Sequence, residues 1–428
     1  MTRIVIAGGG AGGLLLATRL GRRRLENAEI TLVDSASSHI WKPLLHEVAA
    51  GTLDTGVAQL GYMAQASRSG FRYWPGRMCG LDRARRELHL APLNDAEGGE
   101  ILPARNVPYD ILVLALGSTA NDFGIPGVVE HARFIDSRAQ ADAFNDALQA
   151  EVMRTLAGPP DATLDIAIVG AGATGVELSA ELNTALELAG GYGLPDLRQR
   201  LRLTLVETAP RILGGLPEQV ASAAQAELKR QGVTVLTGAE VAAVEAGVLV
   251  LKDGRRIPAT LKVWAAGIRA PAFLHDLDGL ETARNAQLVV RPTLQTTRDD
   301  DVYAIGDCAA LTPPGGERPL PATAQVARQQ ALHLARSLGS VVAGRPPAEF
   351  GYRHNGALVS LGRYNAFGSL GKRGLLRGGL FVQGRFAQLS YASLYRQHQL
   401  ELFGPWRAAL YWAADLLRHA SRPSVKLE

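Results

Sequence analysis

Residues 3–13 read RIVIAGGGAGG, and residues 165–182 read DIAIVGAGATGVELSAEL. Each is a short run of β-branched and other apolar residues that enters G-x-G-x-x-G and continues as an apolar-periodic helix. The glycines are Gly8, Gly10 and Gly13 in the first copy and Gly170, Gly172 and Gly175 in the second. The first glycine permits a tight turn, the second lets the backbone approach a pyrophosphate, and the third lets the helix pack closely on the strand. The helix N-terminus then offers free N–H groups and a positive dipole end to phosphates. One such motif alone is weak, because a glycine-rich turn without function can be spelled the same way. Here each copy leads to a second strand ending in an acid: Asp34 after AEITLV and Glu207 after LRLTLV. An acid there accepts hydrogen bonds from a ribose diol and repels a 2′-phosphate, which favours NAD over NADP. The second acid stands further from its glycines because NTALELAGGYGLPDLRQR, residues 183–200, lengthens the connection and leaves that register open. The repeated order of strand, glycines, helix, strand and acid predicts an α/β chain with two Rossmann-like dinucleotide-binding domains.

The length of 428 residues accommodates two or three domains, and 47% hydrophobic with 20% charged residues reads as globular. Two isolated cysteines, Cys79 and Cys308, give neither a disulfide framework nor metal-ligand spacing, so no metal is expected and the setting is a reducing one. The start MTRIVIAGGG lacks a signal-peptide layout, and no apolar run approaches the roughly 18–20 residues that span a bilayer. The net charge of +4 hides an asymmetry. From Arg353 onward eleven Lys/Arg face three acids, a net of +8, so the remainder carries −4. A basic tail on a mildly acidic body implies an anionic partner, a lipid surface or a nucleic acid.

A third signal is DVYAIGDCAAL, residues 301–311, an extended apolar strand ending in Gly306-Asp307. With it the layout resembles the disulfide-reductase-like flavoprotein superfamily. That resemblance implies that the first fingerprint binds the adenosine half of FAD, that Asp307 holds its ribityl chain, and that the second fingerprint binds NAD(P)H. It also makes YDILVLALGS (109–118, with Gly117) and LKVWAAGIRA (261–270, with Gly267) the crossovers closing each nucleotide domain. The expected domains are a discontinuous FAD-binding domain, 1–120 and 290–345, an NADH-binding domain with its connecting segments, 121–289, and a C-terminal region, 346–428.

The superfamily's thiol enzymes need a redox cysteine pair, which is missing here, and the cysteines of sulfide:quinone oxidoreductases have no counterpart. The chain is most similar to the bacterial type II, non-proton-pumping NADH:quinone oxidoreductases. The segments that carry the likeness include SSHIWKPLLHEVAAGTLD (37–54), LALGSTANDFGIPGV (114–128), VWAAGIRAPAFL (263–274), PTLQTTRDDDVYAIGDCA (292–309), ATAQVARQQA (322–331) and GALVSLGRYNAFGSLGK (356–372). The resemblance implies non-covalent FAD, NADH as substrate and a membrane quinone as acceptor.

Site residues follow in the same terms. Glu177, two residues past Gly175, reads on its own as a first-turn carboxylate stabilised by the helix dipole. The resemblance places it between nicotinamide and flavin, with a role in NADH binding and proton handling, where its negative charge would favour the oxidised ring. Gln325 and Gln329 are four apart and share a helix face, which also fits two surface glutamines. The resemblance puts the start of that helix, at Ala324, against the flavin, with Gln325 as the main quinone contact and Gln329 a lesser one; an amide donates to a quinone carbonyl without titrating. Lys42 could reach FAD, and His39 and His46 read as parts of a loop beside it.

The stretch GPWRAALYWAADLLRH, 404–419, has Pro405 suited to a helix first turn. On a helical wheel Trp406, Leu410, Ala413 and Leu417 line one face, and Arg407, Asp415 and Arg418 lie on another. With the preceding SLYRQHQLELF it reads as a pair of amphipathic elements, either docking on a membrane surface or packing on the body or a second subunit as a homodimer. The expectation is a peripheral enzyme on the cytoplasmic face of the inner membrane, with no nucleic acid partner. The rivals are a soluble NADH:ferredoxin or rubredoxin reductase and a nucleic-acid-gripping flavin sensor.

Overall fold

The structure is a computed structural model that describes residues 1–95, 97–191, 197–362, 366–370 and 380–421. It divides into two compact units: residues 1–42, 59–119 and 268–353 form the first, and 43–58, 120–267 and 354–428 the second. Residues 268–289, expected with the NADH half, lie in the first unit, while 43–58 and the tail lie in the second.

The first unit is built on a six-stranded sheet whose middle strand is Thr2–Ala7. It pairs in parallel with Ala28–Asp34 on one side (Ile4 opposite Ile30) and with Ile111–Leu114 on the other (Ile4 opposite Ile111). Arg72–Pro75 extends one edge in parallel, and Asp299–Ala304 continues the other, followed by the short antiparallel Gln295–Thr296. Strands covered on both faces read as continuous apolar runs, as IVIA and ILVL do. Helix Ala11–Arg23 buries Leu14, Leu15, Leu16 and Leu20 completely, worth about 1.5–3 kcal/mol each, and helix Ala324–Val342 packs beside it. A three-stranded antiparallel sheet, Met78–Asp82, Glu87–Leu90 and Arg105–Pro108, completes the frame.

The second unit repeats the plan with four parallel strands in the order Thr234–Leu236, Leu201–Val206, Leu164–Val169, Leu261–Trp264. Val169 stands opposite Val206, as Ala7 stands opposite Val33, so the long connection leaves the register of the second copy equivalent to the first. Helix Ala173–Gly191 absorbs most of that connection; residues 192–196 lie outside the described residues. Helix Arg138–Ala157 starts in a capping box between Ser137 and Gln140, which satisfies two N–H groups that a helix start leaves open. The chain ends in a three-stranded antiparallel sheet, Gly356–Ser360, Ala366–Leu370 and Leu380–Gln383, and two helices, Gly384–Phe403 and Pro405–Ser421. Pro405 occupies the first helical position, where its missing N–H costs nothing.

Candidate active site

In the first unit the fingerprint turn is shaped by what a side chain would strike. Gly8 is left-handed (φ +104°) and a Cβ on Gly13 would sit on the Gly8 carbonyl oxygen, so neither position tolerates another residue without a shift. A Cβ on Gly10, by contrast, would meet nothing within 4 Å, so this backbone is open to an approaching group. Asp34 closes the turn: its Oδ2 accepts the Gly9 N–H at 2.6 Å and its Oδ1 the Ala36 N–H at 2.7 Å. Burial raises its pKa while these two donors oppose the rise. Each carboxylate oxygen keeps acceptor capacity for a ribose diol. The Gly9 carbonyl accepts from His39 Nδ1 at 3.0 Å and from Tyr62 Oη at 2.9 Å, and burial holds His39 neutral with its pKa down to about 4.

The same unit brings Lys42, Ser118 and Asp307 into one chain of hydrogen bonds. Lys42 Nζ donates to the Ser118 carbonyl at 2.9 Å, and Ser118 Oγ donates to Asp307 Oδ2 at 2.8 Å. Gly117 precedes Ser118 with φ +70°. Two residues that the sequence did not single out hold the G-D turn. Gln330 Oε1 accepts the Gly306 N–H at 2.7 Å, and Gln287 Nε2 donates to the Asp307 carbonyl at 2.7 Å. Ala324 opens helix Ala324–Val342, capped by Thr323 Oγ1, which accepts the Val326 N–H. Gln325 Oε1 accepts from Tyr352 Oη at 2.8 Å, which orients the amide. Gln329 is bound on both ends to the Arg353 backbone, its Nε2 donating to the carbonyl at 2.7 Å and its Oε1 accepting the N–H at 3.0 Å. That two-way bridge gives Gln329 a structural task.

In the second unit the equivalent geometry returns. A Cβ on Gly175 would fall on the Gly170 carbonyl oxygen, and one on Gly172 would meet nothing within 4 Å. Glu207 Oε2 accepts the Ala171 N–H at 2.7 Å and Oε1 the Ala209 N–H at 2.8 Å, the counterpart of Asp34. Gly267, with φ +65°, follows strand Leu261–Trp264. Arg211, the basic side chain nearest in sequence, donates to the carbonyls of Leu216 and Gly214.

Glu177 departs from the first-turn reading. Its helix begins at Ala173, so Glu177 stands on the second turn, and its Oε1 accepts the Ser360 N–H from a distant strand at 3.1 Å. Its side chain is only 8% exposed, and burial pushes its pKa up to about 8. At neutral pH the carboxyl is therefore largely protonated, which corrects the expectation of a standing negative charge. His46 lies in helix Leu45–Ala50 of this unit and not in a loop; its Nδ1 is 3.7 Å from Glu177 Oε2. Burial holds His46 neutral, its pKa down to about 4, so the contact is between neutral groups. Glu47 is pushed up to about 8 by burial and then by Glu181 and Glu177; 27% of its side chain still reaches the surface, so Glu177 carries the heavier desolvation. Thr52 Oγ1 donates to Glu181 Oε1 at 2.5 Å. The Tyr391 hydroxyl, buried and without a hydrogen-bond partner at bonding distance, completes the cluster, where burial and then the neighbouring carboxylates hold its pKa high. Of this cluster, sequence reasoning singled out Glu177 as a site residue and His46 only as part of a loop. The apolar run LLHEVAA gave one clue to the rest, because a His-Glu pair inside it must be buried or partnered.

The helix pair at the end of the chain is two-faced. Trp412 Nε1 donates to Gln399 Oε1 at 2.8 Å, Arg396 pairs with Asp415 at 2.5 Å, and Phe403 stacks on Tyr411 at 4.5 Å between centroids. On the other side Trp406 is 85%, Leu410 70% and Leu417 74% exposed, with Leu389 at 71% on the preceding helix. The expected Trp406, Leu410, Leu417 stripe is therefore outward. The Arg418 side chain and the basic residues 363, 372, 373, 377, 422 and 426 lie outside what is described. No helix among the described residues is long and apolar enough to cross a membrane.

Two fingerprint turns, each closed by a carboxylate, together with a G-D turn, define a pyridine-nucleotide oxidoreductase with two dinucleotide sites. The profile described as "Pyridine nucleotide-disulphide oxidoreductase" matches residues 2–331, and the chain belongs to that family. Within it the chain is one of the type II NADH:quinone oxidoreductases. It is 41% identical over the full length of both chains to the type II NADH:quinone oxidoreductase of Haemophilus influenzae. It is also 30% identical to that of Staphylococcus aureus (strain NCTC 8325 / PS 47), covering 86% of this chain and 89% of the relative. A solved structure of NDH2 from Plasmodium falciparum in complex with NADH superposes with a TM-score of 0.84 at 18% identity, covering 99% and 100% of the two chains, a likeness of fold.

Proposed function

We propose that this chain is a peripheral flavoenzyme that oxidises NADH, uses non-covalently bound FAD, and reduces a membrane quinone without pumping protons. The observation that carries the reading is the 41% identity over the whole length of a type II NADH:quinone oxidoreductase. The residues fit the cofactor: Gly10 is open to a pyrophosphate, Asp34 has acceptor capacity for a ribose, and the Lys42, Ser118 and Asp307 chain offers polar groups to a ribityl chain. Bound there, FAD supplies the two-electron chemistry between NADH and quinone.

The protein's part is to bind, orient and hold protons. Gly8, Gly10 and Gly13 with Asp34 hold the FAD adenosine half; Lys42, Gly117, Asp307 and Ala324 complete that site; Gln287 and Gln330 fix the turn that presents Asp307. Gly170, Gly172, Gly175, Glu207 and Gly267 hold NADH. Glu177, a neutral carboxyl that titrates near pH 8, holds a proton for the reaction. Gln325, with its amide set by Tyr352, meets the quinone carbonyl, and Gln329 supports the helix through Arg353. The outward stripe of Trp406, Leu410 and Leu417 docks on the bilayer that dissolves the quinone, at the cytoplasmic face where NADH is supplied. A second copy of the chain is the other occupant that this stripe could take.

The test is anaerobic mixing. The flavoprotein is reduced with NADH, then mixed with a short-chain ubiquinone while the flavin absorbance is followed. Bleaching and recovery, each at least as fast as turnover, support the reading. Bleaching that a ferredoxin or rubredoxin reverses and a quinone does not would replace it with the soluble reductase.

A further inference from the structure

We propose that a cleft in the first unit, between helices Ala11–Arg23 and Ala324–Val342, binds a phosphate-bearing anion at a site separate from both dinucleotide fingerprints. The cleft has a volume of about 390 Å³ and is lined by Arg19, Arg22, Arg23 and Arg336 with Leu332 and Ala335. Four arginines line it, and among the described residues no carboxylate forms an ion pair with Arg19, Arg23 or Arg336. The Nε of Arg19 is buried and has no hydrogen-bond acceptor. Arg19 thus adds its charge to the cleft without a protein acceptor at that nitrogen.

Simpler accounts explain only part of the cluster. Arg22 and Arg23 lie in the last turn of their helix, where positive charge complements the dipole. Arg19 stands a turn earlier, where its spacing of three and four residues from the other two sets like charges against each other. Arg336 comes from the middle of the other helix and adds a fourth. Arg23 is fixed by donating to the Ala335 carbonyl at 2.5 Å, so the cleft is partly organised in advance. Guanidinium forks match phosphate oxygens in pairs, and several of them around one recess suit an anion that carries more than one negative charge, as a phosphate does. The site is distinct from the FAD phosphates, which belong at the opposite, N-terminal end of the same helix; Arg19 is about 12 Å along the helix from that end at 1.5 Å per residue. The phosphate could belong to a lipid headgroup or to a free metabolite.

The experiment uses the FAD-loaded full chain with saturating NAD⁺, so that the dinucleotide sites are filled. Inorganic pyrophosphate is titrated calorimetrically, and vesicles of phosphatidylglycerol or of phosphatidylcholine are co-sedimented at fixed salt. The double variant R19Q/R336Q is compared with R202Q/R345Q, which removes the same charge at exposed positions outside the cleft. A pyrophosphate affinity that falls about tenfold in R19Q/R336Q and holds in the control indicates a free phosphate ligand. Pyrophosphate-independent binding to phosphatidylglycerol that falls in R19Q/R336Q alone indicates a headgroup. Equal behaviour of the two double variants in both assays overturns the proposal. Should R19Q/R336Q lose its flavin or melt early, the exposed single variant R336Q is read by the same criteria.

Discussion

Glu177 Oε2 lies 3.7 Å from His46 Nδ1, and burial leaves both groups uncharged at neutral pH, with pKa values near 8 and near 4. The pair is thus a proton-holding contact and not an ion pair. The Ser360 N–H, Glu47, Glu181 and Tyr391 surround it within the second unit.

The substitution Glu177→Gln keeps the shape and the acceptor for Ser360 and removes the titrating proton. Turnover should fall by about 10²-fold, the scale of a positioned acid or base, with the flavin content unchanged. The wild-type limb of the pH–rate profile near pH 8 should vanish in the variant. A steady-state NADH:quinone assay from pH 6 to 9.5 reads both effects, and a limb that survives in E177Q would assign it to another group.

The same cluster makes stability depend on pH. Glu177 and Glu47 bind their protons more tightly when folded than when unfolded, so their contribution is full below about pH 4.5 and is lost as pH rises through about 8. His46 runs the other way, its contribution present above about pH 6.5 and lost as pH falls through about 4. Urea unfolding at pH 5, 7 and 9 should show wild type weakening toward pH 9, and E47Q/E177Q should be flatter across that range.

The middle glycines separate the two nucleotide sites. A Cβ on Gly10 or on Gly172 meets no protein atom within 4 Å, so G10A and G172A should both fold. G10A should purify with much of its FAD missing. G172A should keep FAD and raise the KM for NADH by about tenfold, the scale of one lost close contact at about 1.4 kcal/mol. Flavin absorbance per protein and an NADH saturation curve distinguish the two.

Glu207 should set cofactor preference. In E207Q the repulsion of a 2′-phosphate is gone, and the ratio of kcat/KM for NADH to that for NADPH should fall by about tenfold or more. An unchanged ratio would move discrimination to another residue.

Membrane docking is tested by point changes. Deleting 391–428 would also remove Tyr391 from the acid cluster, and with it the buried His398, Leu402 and Ala408. The triple variant W406A/L410A/L417A touches only side chains that are 70% exposed or more. It should melt like wild type and lose at least about 10² in vesicle partitioning, since each large apolar side chain is worth about 1.5–3 kcal/mol when fully buried. Retained membrane binding with a change in oligomeric state would make the stripe a dimer surface.

The sequence by itself determined what depends on local pattern and on order along the chain. The fingerprint turns, the acids at the ends of the second strands, the G-D turn and a helix starting at Pro405 were legible because a glycine at a tight turn and an apolar period act over a few residues. Only the tertiary structure decided what gathers from far apart. Residues 43–58 join the second unit, which carries His46 and Glu47 to Glu177, while Ser360 and Tyr391 arrive from the tail. Gln287 and Gln330 reach the Gly306-Asp307 turn from opposite sides in sequence. No spacing rule encodes such meetings. The charge state of Glu177 was equally hidden, because desolvation sums over everything that covers a carboxyl, and that cover exists only once the chain is folded.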